Sequence, residues 1–144
     1  MSRSYKGDVS VEECWSALQS DSQSFLVDVR TSAEWNFVGF PLVPENGRDA
    51  VFAEWQSYPT MAVDPGFTDR VGAAVRAAGG SETSKLYFLC RSGARSMSSA
   101  AAMTAAGFSD CYNILDGFEG PPDPDGHRGH QAGWKAAGLP WRQK

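Results

Sequence analysis

One cysteine, Cys90, closes the apolar run KLYFLC and is followed at once by RSGARS, a loop with a glycine and two arginines. A thiol in that setting can act as a nucleophile, because the thiolate is the reactive form and nearby positive potential favours it. The segment supplies such potential in three ways. Arg91 and Arg95 carry formal charge. A helix starting after the loop adds about half a positive charge at its N-terminus. A tight turn through Ser92 and Gly93, with Gly93 free to take positive φ, can aim successive N–H groups inward. Arg95, opening the helix, can fork onto an oxyanion. The pattern reads as a cradle for a small anion around one sulfur; the plainer alternative is a core thiol beside a solvated turn.

The other candidate groups are weaker. Cys14 and Cys111 complete a set of three cysteines without a C-x-x-C pair, which is neither a disulfide framework nor a zinc spacing. Cys14 lies beside Trp15 in an amphipathic stretch and Cys111 opens an apolar run, so both read as small core residues. Either can serve as a resolving thiol only if the fold brings it beside Cys90. His127 and His130, with Asp123 and Asp125 nearby, have loose metal-ligand spacing in a loop with no helix to order them, and read as surface residues.

A net charge of -4 and a pI near 5.1, with no basic tract, argue against nucleic acid as the main partner and make the two loop arginines a local feature. No run approaches the roughly 18 apolar residues of a membrane span. The N-terminal stretch lacks the apolar core of a signal peptide, so a cytoplasmic location is expected.

The elements that must position Cys90 follow from local patterns. Ser10 and Glu13 fit a capping box ahead of a helix over 11–19. FLVDV, 25–29, reads as a buried strand, and TSAEWNF, 31–37, as a short helix capped by Thr31 or Ser32. Residues 41–66 form a proline-bearing excursion with AVFAEW as its strand-like part. A helix is expected over 67–80, a second buried strand over KLYFLC, a helix over 94–106 stopped by Gly107, and a third strand over 111–115. DGFEGPPDPDGHRGHQAG is a broken polar loop, and Trp134, Leu139 and Trp141 pin the tail by packing. Strands alternating with helices predict one α/β domain over 1–144, built on a parallel sheet covered on both faces, with residues 120–144 packed on the body.

LVDVRTSAEW, then YFLCRSGARS, then GFSDCYNILDGFEG, in that order, resemble the single-domain rhodaneses over nearly the whole chain. The resemblance implies a three-layer α/β/α domain with a central, mainly parallel sheet of about five strands. It also implies sulfurtransfer. The Cys90 thiolate would take a sulfane sulfur from a small donor such as thiosulfate, and a thiol, a protein or cyanide would accept it. The N–H groups of Arg91, Ser92, Gly93, Ala94, Arg95 and Ser96 would hold the persulfide, Asp28, Arg30 and Glu34 would support the site, and no cofactor or metal is implied. Asp28 and Arg30 are expected as a charge pair or loop anchor. One departure is Gly39-Phe40-Pro41, where the family often has G-H-[IV]; it removes a histidine and leaves no obvious general base, which an ionised thiol does not need.

The nearest rivals are a cysteine phosphatase or a rhodanese-like arsenate reductase. A phosphatase loop is C-x5-R, wide enough for a tetrahedral phosphate, whereas here the arginine comes one position sooner and Ser96 stands at the phosphatase position. A non-catalytic sulfur-carrier or anion-binding module is the remaining class.

Overall fold

The computed structural model describes residues 4–45, 48–57 and 60–143. Positions 46, 47, 58 and 59 of the expected excursion, and 1–3 and 144 at the ends, lie outside the described residues. A short strand, β1 (Gly7–Val9), leads into helix α1 (Val11–Ser20) through a reciprocal cap. The Glu13 N–H donates to Ser10 Oγ and the Ser10 N–H to the Glu13 carboxylate, each at 3.0 Å. Strand β2 (Ser24–Asp28) follows, and then α2 (Ser32–Phe37), which repeats the device with Thr31 and Glu34. The excursion after α2 carries β3 (Phe40–Pro41), β4 (Val51–Phe52) and the antiparallel pair β5 (Gln56–Ser57) and β6 (Ala62–Val63). Helix α3 (Phe67–Ala77), strand β7 (Lys85–Leu89), helix α4 (Ala94–Ala105) and strand β8 (Asp110–Ile114) complete the alternation. Near the end of the chain β9 (Trp141–Arg142) pairs antiparallel with β3.

The five-stranded sheet has the order β1-β8-β7-β2-β4, and every pairing in it is parallel. Its central strands are apolar on both faces, as a sheet covered by two layers requires. Phe25, Val27, Leu86 and Phe88 point into one core with Val71 and Val75 of α3 and Ala100 and Met103 of α4. The alternate residues Leu26, Tyr87 and Leu89 face a second core with Val11, Cys14 and Leu18 of α1. Trp134 closes that second core, fully buried and edge-on to Trp15 at 5.8 Å. Layers of helix, sheet and helix result, with the carboxyl ends of β2 and β7 side by side: Asp28 stands opposite Leu89, one residue before Cys90.

Five short strands escaped the sequence patterns: β1, β3, β5, β6 and β9. β1 is three half-buried residues with no apolar run, held by its pairing with β8, and β9 is two exposed residues. Elements this short have too few positions to display a period.

Candidate active site

Cys90 stands just past β7, at the carboxyl edge of the parallel sheet, where open α/β sheets bind their ligands. Only 1% of the residue is exposed. Gly93 turns the chain into α4 with φ of 119°, a conformation that a residue with a Cβ adopts only under strain. That turn folds the Gly93 N–H back onto Cys90 Sγ at 3.1 Å.

Ser96, in the first turn of α4, is buried beneath the thiol. Its Oγ lies 3.2 Å from Cys90 Sγ, 3.1 Å from the Gly93 carbonyl oxygen and 2.6 Å from Asn113 Oδ1. One hydroxyl proton serves these three neighbours, and the shortest contact gives it to Asn113. Asn113 Nδ2 donates onward to Asp8 Oδ1 at 3.1 Å, which also accepts the Tyr5 hydroxyl at 2.8 Å. A row of hydrogen bonds thus runs from the first strand to the Cys90 sulfur. If Cys90 ionises, the Gly93 N–H and the Ser96 hydroxyl are the donors within reach of the new charge.

Arg95 is held by Glu34 in a two-point fork, Nη1 to Oε1 at 2.7 Å and Nη2 to Oε2 at 2.9 Å, with each side chain 19% exposed. Burial pushes the Glu34 carboxyl up, but the Arg95 fork, the Thr31 N–H and the charge of Arg30 outweigh it and hold the group below the usual glutamate range. Burial likewise works against the Arg95 cation; Glu34 overcomes it, with Cys90 and Asp28 adding in the same direction. The pair fastens α2 to the start of α4.

Asp28 and Arg30 form a second pair, fully buried. Arg30 Nε donates to Oδ1 at 3.0 Å and Nη2 to Oδ2 at 2.8 Å, while Nη2 also reaches the Gly39 carbonyl at 2.9 Å. The guanidinium carbon sits 4.1 Å above the Phe118 ring. The pair ties the end of β2 to the segment after β8.

That segment presses on the loop from the other side. The Cys90 carbonyl accepts the Phe118 N–H at 2.8 Å, and the Arg91 carbonyl accepts those of Glu119 and Gly120 at 3.0 and 3.1 Å. Gly117, with φ of 64°, makes the approach possible: a Cβ there would stand 2.4 Å from the Cys90 carbonyl oxygen. The tail continues the stack, the Trp134 N–H donating to the Gly117 carbonyl at 2.8 Å.

The description "Rhodanese-like domain" matches residues 10–120 of the sequence. The chain belongs to the rhodanese-like family. RC0915, an uncharacterized protein of Rickettsia conorii, is 36% identical over 130 residues, 90% of this chain and 92% of that one. Rhodanese-like domain-containing protein 4, chloroplastic, of Arabidopsis thaliana is 27% identical over 135 residues, 94% of this chain and 25% of that one. Among solved structures, Rv0390 from M. tuberculosis superposes with a TM-score of 0.82 at 41% identity, covering 97% of this chain and 99% of that one. The polysulfide-sulfur transferase homodimer from Wolinella succinogenes shares the fold, with a TM-score of 0.58 at 17% identity over 98% of this chain and 80% of that one.

Within this rhodanese-like site the residues singled out in the sequence take different positions. Arg95, whose fork the sequence aims at a substrate oxyanion, spends that fork on Glu34. Ser96 lies under the sulfur, not at the mouth. Of the amides from Arg91 to Ser96, that of Gly93 is the one within hydrogen-bond reach of Sγ among the described residues. Arg91, Ser92 and Ala94 are exposed, and the Arg91 side chain makes no hydrogen bond or ion pair among the described residues. Asn113, Asp8 and Gly117 are neighbours of the Cys90 loop that the sequence reading missed. Asn113 and Gly117 stand in the NILDGF stretch, a usable signal; nothing local marks Asp8.

Neither remaining cysteine reaches Cys90. Cys14 belongs to the core on the other face of the sheet, and burial pushes its thiol up. Cys111 pairs in register with Leu86, four residues before Cys90, a separation of roughly 13 Å along the strand direction. Its thiol is pushed up to about 11 by burial. His127 and His130 lie exposed, their ring centres 6.4 Å apart. The nearby Asp123 carboxylate accepts the backbone N–H groups of Asp125 and His127, each at 2.9 Å.

Proposed function

We propose that this rhodanese-like chain is a cytoplasmic sulfurtransferase with Cys90 as its persulfide carrier. The reading rests on one observation above the rest: a single thiol at the sheet's carboxyl edge, with the Gly93 N–H donating to it at 3.1 Å and the Ser96 hydroxyl 3.2 Å away, on a loop of fixed shape. The Cys90 thiolate attacks the sulfane sulfur of the donor, thiosulfate or a persulfide. A bond forms between Sγ and that sulfur, the donor's own sulfur–sulfur bond breaks, and the electron pair leaves with sulfite or with the donor thiolate. The Cys90 persulfide keeps one negative charge, toward which the preorganised Gly93 N–H donates. A thiol, a protein thiol or cyanide then attacks the outer sulfur and releases the Cys90 thiolate. Splitting the transfer in two gives ping-pong kinetics.

A phosphatase needs the loop arginine on a phosphate held at the mouth. Here that arginine is one position short and already committed to Glu34. The test is thiocyanate formation from cyanide with thiosulfate or with an alkyl persulfide, wild type against Cys90→Ala, and with an aryl phosphate in parallel. The expected outcome is Cys90-dependent thiocyanate, loss of at least about a thousandfold in the variant, and no phosphate release. Phosphate release, or no transfer from either sulfur donor, would overturn the reading.

A further inference from the structure

Charge at the mouth bears on which donor the site takes. Four arginines border the Cys90 loop among the described residues, and Lys135, against the Phe118 ring, donates to the Val38 carbonyl at 3.1 Å. Arg30 is buried against Asp28, and Arg128 Nη1 is bound to the Gly120 carbonyl. Arg95, the cation within electrostatic reach of Cys90, is neutralised by Glu34 through both terminal guanidinium nitrogens, Nη1 and Nη2. Arg91 alone of these four stands exposed without a hydrogen bond or ion pair from its side chain among the described residues. The acids Asp116 and Glu119 also border the loop, Glu119 through its N–H on the Arg91 carbonyl.

A small dianion entering this site meets one unpaired positive charge. To recruit Arg95 it must displace a carboxylate held at 2.7 and 2.9 Å. A donor with one charge or none carries no such requirement. We infer that Glu34 is a specificity-determining residue that withholds Arg95 from substrate and tunes Cys90 to sulfur donors of low charge, the persulfides of thiols, over the thiosulfate dianion. The inference rests on the sulfurtransferase reading and narrows its donor. Transfer from such a donor balances simply. Cys90–S⁻ and R–S–SH give Cys90–S–S⁻ and R–SH, the proton passing to the departing thiolate.

The experiment compares thiosulfate with methanethiosulfonate. Both deliver a sulfane sulfur from a sulfur–oxygen centre, releasing sulfite and methanesulfinate respectively, but they carry two charges and one. The rate at which Cys90 gains one sulfur, followed by mass, is measured for wild type, Glu34→Gln and Glu34→Gln/Arg95→Gln. Glutamine keeps the capping-box acceptor at the start of α2. The expected result is a gain of about tenfold in the thiosulfate rate for Glu34→Gln, since a freed arginine restores a charge-assisted fork. The methanethiosulfonate rate should change by less than about threefold, and the double variant should lose the gain. An unchanged donor ratio in Glu34→Gln, or a gain that survives removal of Arg95, overturns the inference while leaving sulfurtransfer standing. No sulfur gained by the wild type from methanethiosulfonate, thiosulfate or an alkyl persulfide overturns both.

Discussion

Two acid–arginine pairs flank the Cys90 loop, and water separates their roles. Asp28 and Arg30 are wholly buried, two residues apart in sequence, and further held by the Gly39 carbonyl and the Phe118 ring. Glu34 and Arg95 are 61 positions apart, each 19% exposed, and sit where a ligand can compete for either partner. A buried pair cannot exchange partners without stranding a charge in the core. A pair at the mouth can, because water or a substrate replaces what is lost. The first is therefore architecture, and the second is open to use by the chemistry.

The largest way to break this comparison is Arg30→Met. Removing one member of a buried pair leaves the Asp28 carboxylate uncompensated, and urea denaturation should show a loss of about 3–5 kcal/mol. A loss below about 1 kcal/mol would mean that the pair is not architectural. Next in size is Gly117→Ala, which sets a methyl against the Cys90 and Arg91 carbonyls at a positive φ. A loss of about 2–3 kcal/mol is expected, with the loop displaced and sulfur transfer reduced beyond the change in folded fraction.

The smallest effect sharpens the contrast by pH. Glu34 has a folded-state pKa held below the unfolded value of about 4.3. Its pair therefore stabilises fully above that value and loses its contribution as pH falls through the lower folded value. The stability gap between wild type and Glu34→Gln should be about 0.5–1 kcal/mol and flat from pH 9 to 5, and should close below about pH 4. A gap that grows on acidification would reverse the assignment.

Much of the positioning frame was legible locally. Ser10 with Glu13, and Thr31 with Glu34, announce two helices because each box satisfies N–H groups that the helix itself leaves unpaired. FLVDV and KLYFLC announce central strands because they are apolar on both faces. Gly93 marks a turn because the chain needs a left-handed residue there. The segment 116–133 was legible only as broken and polar. Its glycines read as loop punctuation, yet Gly117 is a contact surface against Cys90, and Trp134 is as deeply buried as the strand residues. Composition records that a segment lacks a period; it does not record what the segment lies against.

The sequence by itself marked Cys90 as the candidate nucleophile, and it determined the turn that sets an N–H group against its sulfur and the helices and strands that carry them. Each depends on neighbours a few residues away, where propensity, capping and apolar runs act. The tertiary structure alone decided who partners whom. Arg95 could serve any anion in reach, and the fold set Glu34 of α2 beside the start of α4. Ser96 could donate to sulfur or to a carbonyl, and the pairing of β7 with β8 brought Asn113 beside it, with Asp8 behind through β1. Long polar side chains take the partner that strand register and helix packing bring within about 3 Å, and that choice is not written in their own stretch of chain.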